Sequence, residues 1–528
     1  MSICSAAGRL TTRWAKMNEI ISTNPATLKE LGKVTGTPEQ KVKEHVSNAK
    51  ASHPSWARLS FEKRAKYLLK ARKYLLDNID DIALTITREN GKPIAESISA
   101  EILPAADLFY WAAINAEKIL SSKRICIGIF NLMLRRSIIS HQPLGVVGVI
   151  SPWNYPFSIP AGIAAMALMA GNCVILKPSS VTPLVGNKIN EMFAAAGFPE
   201  SVFTHIPGGS ETGEALLNSR IDKIIFTGSV EIGKHIAAVC SRNMVPCSLE
   251  LGGKDAAIIR ADADIEHASS AVVWGTYTNA GQCCASIERA YIHESIAEKF
   301  IAEVVKKTGK LRMGNGEDTN TDIGPMTTLS QLQIAEAHVE DARRRGANIL
   351  CGGNKRGPGY FFEPTVITGV DHTFACVNEE SFGPLLPIMT FKDDRQAIQL
   401  ANYSEYGLNA YIFTKGIKAG RQMAEQLRAG TVIINDAVYT HAIPQTPWGG
   451  VKHSGFGRTH SAWGFYELTN LHHIHINPIT FVKDFWWYPY DIKLVNTLKS
   501  LSKTLTGGIF DKIRSLPQLL KTLSFNKS

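Results

Sequence analysis

The nine cysteines of this 528-residue chain include no Cys-x-x-Cys pair, and their number is odd. Cys4, Cys126, Cys173, Cys240, Cys247, Cys283, Cys284, Cys351 and Cys376 are scattered, which argues against a disulfide framework or a structural zinc site and for a reducing, intracellular compartment. Residues 1–18 contain no Asp or Glu, and they lack the apolar core of a secretory signal. Arg9, Arg13 and Lys16 would share one helical face there, with Leu10, Trp14 and Met17 on another. That composition resembles a transit peptide and suits mitochondrial import; a disordered or surface N-terminus is the alternative. Zinc-finger spacing and an aromatic-basic RNA signature are both missing. So is an uninterrupted membrane span. Ile159 to Leu176 is apolar, but Gly171-Asn172 breaks it, and a buried helix turning into a buried strand accounts for it.

What is present is ordinary globular composition, 45% hydrophobic and 20% charged, in a chain long enough for two or three domains. The net charge of +10 invites a nucleic-acid reading. From Phe481 to Ser528, however, eight Lys/Arg stand against three Asp, so half the excess lies in the tail. A dinucleotide or an acidic membrane surface explains the charge as well, and no nucleic-acid partner is expected.

Local patterns divide the chain further. A helix is expected from Ser60, capped by its hydroxyl, with Glu62 in the first turn and Leu68, Leu69, Leu75, Leu76 and Ile79 as core contacts. Glu89-Asn90-Gly91-Lys92-Pro93 ends that helical stretch. Four β-rich runs follow, Gly145–Ser151, Asn172–Pro178, Val202–Gly208 and Lys223–Ser229, each succeeded by a segment of helical composition. Such alternation predicts a doubly wound parallel sheet, whose ligands bind at the carboxyl ends of the strands. A second α/β region runs from Gly253 to about Phe465, with strands expected at Ala256–Ile259, Ala290–His293, Ala410–Phe413 and Thr431–Asn435. The boundary falls beside Glu250, in an expected interdomain cleft.

The strand ends carry the chemistry. Gly145–Ser151 leads into Pro152-Trp153-Asn154-Tyr155-Pro156, where two prolines restrict an amide able to donate to a developing oxyanion; a structural Asx turn is the competing reading. Asn172–Leu176 ends in Lys177-Pro178-Ser179-Ser180, where a lysine can bond ribose hydroxyls or simply face solvent. After Lys223–Phe226, Thr227-Gly228-Ser229-Val230-Glu231-Ile232-Gly233 delivers a glycine turn into a helix start that suits phosphate. Gly228 to Lys234 begins like a P-loop, but His235 stands where a magnesium-binding hydroxyl belongs, and GxGxxG spacing also fails. Leu249-Glu250-Leu251-Gly252-Gly253-Lys254 and Gly281-Gln282-Cys283-Cys284 then supply a carboxylate and a thiol. A cysteine in a Gly/Gln loop after a helix can lie near polarising dipoles and lose its proton, and a carboxylate can activate water to release a covalent product. An inert buried cysteine is the plain alternative.

Together with Glu379-Glu380-Ser381-Phe382-Gly383-Pro384, Pro447-Trp448-Gly449-Gly450 and Ser454-Gly455-Phe456-Gly457-Arg458, these motifs resemble, in order, the aldehyde dehydrogenase superfamily over roughly Ile20 to Pro478. The resemblance implies Cys284 as nucleophile, Glu250 as general base and Asn154 as oxyanion donor together with the Cys284 backbone N–H. It implies a cofactor set of Trp153, Lys177, Ser180, Gly228, Ser229, Gly233, Leu251, Glu380 and Phe382. The implied fold is α/β: an N-terminal extension (1–19), a Rossmann-like dinucleotide-binding domain (20–120 and 144–252), a catalytic domain (253–465), a small β oligomerisation element (121–143 and 466–478) and a tail (479–528). The implied reaction oxidises an aldehyde to a carboxylic acid with NAD or NADP, through a thiohemiacetal and a thioester, in a homo-oligomer. Ser180 departs from a Glu common in NAD-selective members, so NADP is expected to be accepted. Ala285-Ser286-Ile287-Glu288-Arg289 also departs from the usual run, at the expected tunnel wall.

About 50 residues follow the expected last strand, Tyr466–Ile476. Asp484-Phe485-Trp486-Trp487-Tyr488-Pro489-Tyr490 precedes Ile492, Val495, Leu498, Leu501 and Leu505 at helical spacing, with Lys493, Lys499 and Lys503 between them. This suits a peripheral membrane surface or an arm on a sister subunit. His472, His473 and His475 read as surface histidines, and no metal is expected. The rival class is an inactive scaffold or membrane-surface interaction protein. A cytoplasmic location, peripheral at the endoplasmic reticulum or another membrane, is expected, with mitochondria as alternative.

Overall fold

The computed structural model describes residues 19–131, 134–481, 483–484 and 486–524. The basic segment at 1–18 and Phe485 lie outside the described residues. Two compact units are present: one runs to Ser121 and includes His141–Leu471, and the other joins Ser122–Ser140 to the chain from His472 onward.

Local rules account for the first long helices. Ser60 caps the helix Phe61–Asp77 by accepting from the Lys63 N–H at 3.3 Å. Leu68 and Leu75 are buried, but Leu69 and Leu76, expected in the core, are each 38% exposed. Each sits one residue, about 100° around the helix, past a buried leucine, which turns it off the packed face.

In the first unit a six-stranded sheet has the order Gly455–Phe456, Cys247–Glu250, Lys223–Thr227, Val146–Ile150, Cys173–Lys177, Phe203–His205. All neighbours are parallel except the Gly455–Phe456 edge. Each of the four expected β-rich runs contains one of these strands. Helix Ser158–Met169, inside the apolar Ile159–Leu176 stretch, is buried along its whole length, and Cys173–Lys177 is buried on both faces. Two-sided burial is why this stretch carries no alternation. Among the described residues no helix is long and apolar enough to cross a membrane.

A seven-stranded sheet follows, in the order Asn348–Cys351, Thr365–Thr368, Leu385–Phe391, Ile287–His293, Asp255–Ile259, Asn409–Phe413, Thr431–Ile434; only its first pair is antiparallel. The second region does not run unbroken to Phe465. Near Gly455 the chain returns to the first sheet, pairing Gly455 with Glu250 and Phe456 with Leu249. Glycine permits this return: with φ at +108°, a Cβ on Gly455 would stand 2.0 Å from the Leu249 carbonyl oxygen. Phe465 then stacks on Trp111 with ring centroids 5.8 Å apart.

A three-stranded antiparallel ribbon orders Thr469–Ile476, Arg136–Pro143 and Lys123–Ile125. His472, His473 and His475 are exposed on its edge strand. The tail folds into two helices, Ile492–Thr506 and Ile509–Ser524. The first matches the expected helical spacing; the second was not anticipated.

Candidate active site

From Val146–Ile150 the chain steps outward to Cys173–Lys177 and Phe203–His205, then crosses back to Lys223–Thr227 on the other side. Connections therefore diverge between Val146–Ile150 and Lys223–Thr227, and a crevice opens at their carboxyl ends. Pro152, Trp153 and Asn154 leave the first strand into it, Gly228 and Ser229 the second, and Glu250 to Gly252 end the next. With Cys284, Glu380 and Phe382 they line one cavity of about 270 Å³. Lys177, Ser180 and Gly233 do not line that cavity.

Cys284 reaches this edge from the second sheet. Helix Ile265–Tyr277 ends, and Asn279, Ala280 and Gly281 take left-handed φ values of 52°, 54° and 75° before the strand Ile287–His293 begins. An alanine in that region is strained by about 1 kcal/mol or more, so neighbours must hold it. Glu96 accepts from the Asn279 N–H at 2.9 Å and the Thr278 hydroxyl at 3.0 Å. Gln282 donates to the Asn279 carbonyl at 3.0 Å and accepts from the Thr327 N–H at 2.8 Å. A Cβ on Gly281 would lie 2.2 Å from the Gly383 carbonyl oxygen, and one on Gly253 2.3 Å from that of Cys284. Three loops thus meet backbone to backbone.

This turn sets Cys284 between two cavities. The second, about 260 Å³, is lined by Cys284, Cys283, Ala285, Tyr155, Ile159, Trp274, Val438, Tyr439, His441, Trp448 and a few small residues from the region of Ser99 to Pro104. Cys283 borders only this one and is 4% exposed. The neighbouring Cys283 thiol and burial, with the Glu250 and Asp255 carboxylates nearby, hold the Cys284 thiol well above its ordinary value; the proximity of Cys284 lowers Cys283. The expectation of an easily ionised Cys284 is therefore not met by the loop alone. A proton acceptor facing the same space is required.

Glu250 is such a group. It is buried, accepts from the Thr459 hydroxyl at 2.6 Å, and lines the first cavity with Cys284. Burial pushes its carboxyl up to about 7, opposed by the Thr459 bond and the Arg458 charge. Poised near neutrality, such a group can both take and return a proton.

Asn154 donates to the Gln282 main-chain carbonyl at 3.1 Å, which spends one of its two amide hydrogens, and lines the first cavity with Cys284. Its own carbonyl accepts from Lys92 Nζ at 2.8 Å and Asn279 Nδ2 at 2.9 Å. Lys92 is fully buried and paired with Glu101 at 2.7 Å, while Asn90 Nδ2 donates to the Trp153 carbonyl at 3.0 Å. The Glu89–Pro93 stretch thus buttresses the site as well as ending a helix. Its signal was a run of polar side chains around one glycine, more than a helix stop needs.

At the other end, Glu380 Oε1 accepts from the Gly253 N–H at 2.9 Å, and Trp153 meets Phe382 edge-on with centroids 5.5 Å apart. Burial and neighbouring Glu288 push the Glu380 carboxyl up to about 8. Glu288 does not form tunnel wall. It accepts from the Ser381 and Phe382 N–H groups at 2.8 and 3.0 Å and pairs with buried Lys254 at 2.7 Å, so it fixes the loop carrying Glu380 and Phe382. Of that departing run, Ala285 borders the second cavity.

The first cavity suits a dinucleotide by its unspent donors and its close-packed glycines. Thr227 Oγ1 is buried without a hydrogen-bond partner, and Ser229 begins helix Val230–Arg242 without bonding its backbone. A Cβ on Gly252 would stand 2.3 Å from a Glu380 carboxylate oxygen, and one on Gly233 2.5 Å from Leu251. Lys177 closes its strand, buried, with Nζ donating to the Pro178 carbonyl at 3.2 Å; burial lowers it to about 8. Ser180 lies half-buried in the loop beyond.

Comparison with other proteins places the chain in a known family. Residues 14–474 match the Aldehyde dehydrogenase family. The 4,4'-diapolycopene aldehyde oxidase of a Methylomonas species is 36% identical over 495 residues, covering 93% of this chain and 92% of its own length. The mitochondrial succinate-semialdehyde dehydrogenase of Oryza sativa is 35% identical, with 85% of each chain covered. A betaine aldehyde dehydrogenase point mutant from Staphylococcus aureus, solved in complex with NAD+, is 33% identical with a TM-score of 0.84, covering 89% of this chain and 96% of that one. An NADP-dependent enzyme of E. coli gives the same TM-score at 32% identity, with 87% and 94% covered. The chain has the Rossmann-like and catalytic α/β architecture of these proteins and belongs to the aldehyde dehydrogenase family.

Proposed function

We propose that this protein oxidises an uncharged, largely apolar aldehyde to its carboxylic acid, with NAD or NADP as hydride acceptor and Cys284 as the covalent nucleophile. One observation carries the reading: Cys284 lines both a largely apolar cavity and the crevice at the carboxyl ends of the first sheet's strands. Gly228, Ser229 and the first turn of Val230–Arg242 would hold the pyrophosphate. Lys177 and Ser180 would face the adenosine ribose, and Glu380 with Phe382 the nicotinamide end. Trp153 and Leu251 would pack along the dinucleotide. Bound there, the nicotinamide supplies the oxidant by accepting a hydride.

The protein's own groups do the rest. Glu250 takes the Cys284 proton, and the sulfur adds to the aldehyde carbon. Asn154 Nδ2 and the Cys284 backbone N–H steady the oxyanion, a contribution of about 3 kcal/mol per donor in comparable sites. Loss of hydride leaves a thioester on Cys284. Glu250 releases the Cys284 proton to solvent and, again as base, takes a proton from a water that hydrolyses the thioester; the departing sulfur regains a proton from Glu250 as the thiol.

The tunnel supports the substrate class. Its lining contains no Lys or Arg, and burial holds His441 down at about 4, hence neutral. The carboxylate of an acidic semialdehyde would meet this wall unpaired, a penalty of several kcal/mol. Among relatives whose names span semialdehydes and a carotenoid aldehyde, the lining favours the apolar kind. The exposed edge strand Thr469–Ile476 supports pairing with a second copy.

Absorbance of the reduced cofactor, followed with hexanal, decanal and succinate semialdehyde and each cofactor, tests the reading. The aliphatic aldehydes are expected to give the higher kcat/KM, by roughly a hundredfold. A higher value for succinate semialdehyde would remove the apolar assignment; no reduction with any aldehyde would remove the enzyme reading.

A further inference from the structure

Among the described side chains of the tail hairpin, Thr497 and Ser515 are buried along with Leu494, while the largest apolar groups stand outside. Helices Ile492–Thr506 and Ile509–Ser524 are joined by Gly507-Gly508, and a seam between them is polar: Thr504 Oγ1 and Ser515 Oγ are 2.8 Å apart. Ser515 is 3% exposed, and Thr497 is buried too, its hydroxyl turned onto the Lys493 carbonyl at 2.9 Å. Large apolar side chains take the outside. Phe510 is 80% exposed and Ile509 71%, with Ile492 and Ile513 comparably bare. These bare side chains form an apolar outer face that suits a non-aqueous neighbour.

Charge specifies that neighbour. From Asp491 to Ser524 the sequence has six Lys/Arg and two Asp, a net +4. Both acids are engaged in local backbone bonds: Asp491 accepts from the Leu494 N–H at 2.6 Å and Asp511 from the Gly508 N–H at 3.2 Å. Lys493, Lys499, Lys503, Lys512 and Arg514 therefore dominate the field around the apolar face. The stretch leading in is anchored by the Arg135–Asp484 pair and by the Arg135 guanidinium 5.3 Å from the Trp486 ring centre, and it leaves Trp487, Tyr488 and Tyr490 exposed. Tryptophan and tyrosine are the side chains that favour the headgroup level of a bilayer. At 15 and 16 residues the helices are about 22–24 Å long, short of the roughly 30 Å of hydrocarbon a span must cross, so they lie along a surface.

We propose that this hairpin is an interfacial membrane anchor that selects anionic lipid, inserting the Ile509-Phe510-Ile513 face between headgroups while the lysines meet lipid phosphates and carboxylates. The proposal does not depend on the catalytic reading. The test uses the full chain, sedimented with phosphatidylcholine vesicles and with vesicles also containing phosphatidylserine. Phe510→Asp combined with Ile513→Asp is compared with the wild type, with size-exclusion and circular-dichroism profiles as controls for assembly and folding. The wild type is expected to prefer the anionic vesicles and release as salt rises, and the double variant to bind at least about tenfold more weakly with both profiles unchanged. Absence of wild-type binding, equal binding to the two vesicle types, or undiminished binding by the variant overturns the proposal. So does a smaller assembly in the variant, which would assign the face to a second copy of the chain. If the double variant misfolds, Lys499→Glu with Lys503→Glu replaces it, with the same tenfold loss expected and undiminished binding again refuting.

Discussion

Glu250→Gln separates two things that one buried carboxyl does. Its ordinary value of 4.5 is raised to about 7 by burial. A displacement of that size corresponds to about 3 kcal/mol between the protonated and ionised forms. Because the folded value is the higher one, the group's contribution to stability is complete below 4.5 and is lost as pH rises through 7. Glutamine cannot ionise and keeps an oxygen for the Thr459 hydroxyl. The variant is therefore expected to be more stable than the wild type at pH 8, by at most about 3 kcal/mol, and equal to it near pH 4.5. Catalysis moves the other way. With the base removed from both Cys284 and the hydrolytic water, the burst of reduced cofactor should slow and steady-state turnover should fall about 10²- to 10⁴-fold. Stopped-flow absorbance reads the burst, and thermal unfolding at the two pH values reads the stability. In the wild type the hydrolytic rate should climb between pH 6 and 8 with a midpoint near 7. A variant with full steady-state turnover, or a wild-type hydrolysis rate flat across that interval, would refute the argument.

The paired thiols and the ribose end give two further outcomes. Cys284→Ala should abolish turnover, whereas Cys283→Ala, which touches only the tunnel, should keep it while altering KM for the aldehyde; the reverse pattern in steady-state kinetics would exchange their roles. Ser180→Glu brings a carboxylate to the loop beside Lys177, where a 2′-phosphate would be repelled. Its kcat/KM with NADP should drop about tenfold or more with the NAD value little changed, and parallel kinetics with the two cofactors checks this.

Much of the site was legible in the chain because a parallel sheet brings the ends of its strands to one edge. The expected Gly145–Ser151 and Lys223–Ser229 runs contain strands that end at Asn154's loop and at Gly228, and Glu250 closes the next strand, so residues scattered over about a hundred positions line a single crevice. Strand alternation, proline brackets and glycine turns are local properties, and they identified those positions without coordinates. Packing decided what local properties do not encode. Whether Leu69 lies inward depends on which neighbour the helix meets, and the chain can rejoin the first sheet at Gly455 only because glycine has no Cβ to meet the Leu249 carbonyl. The pairs Lys92–Glu101 and Lys254–Glu288, each sealed from water, hold Asn154 and the Glu380 loop through contacts that join distant segments. Proton affinities belong to the same class. The sequence supplied a thiol and a carboxyl; the adjacent Cys283 and burial raised the thiol, and burial raised the carboxyl, which follows from proximity and desolvation in the folded chain.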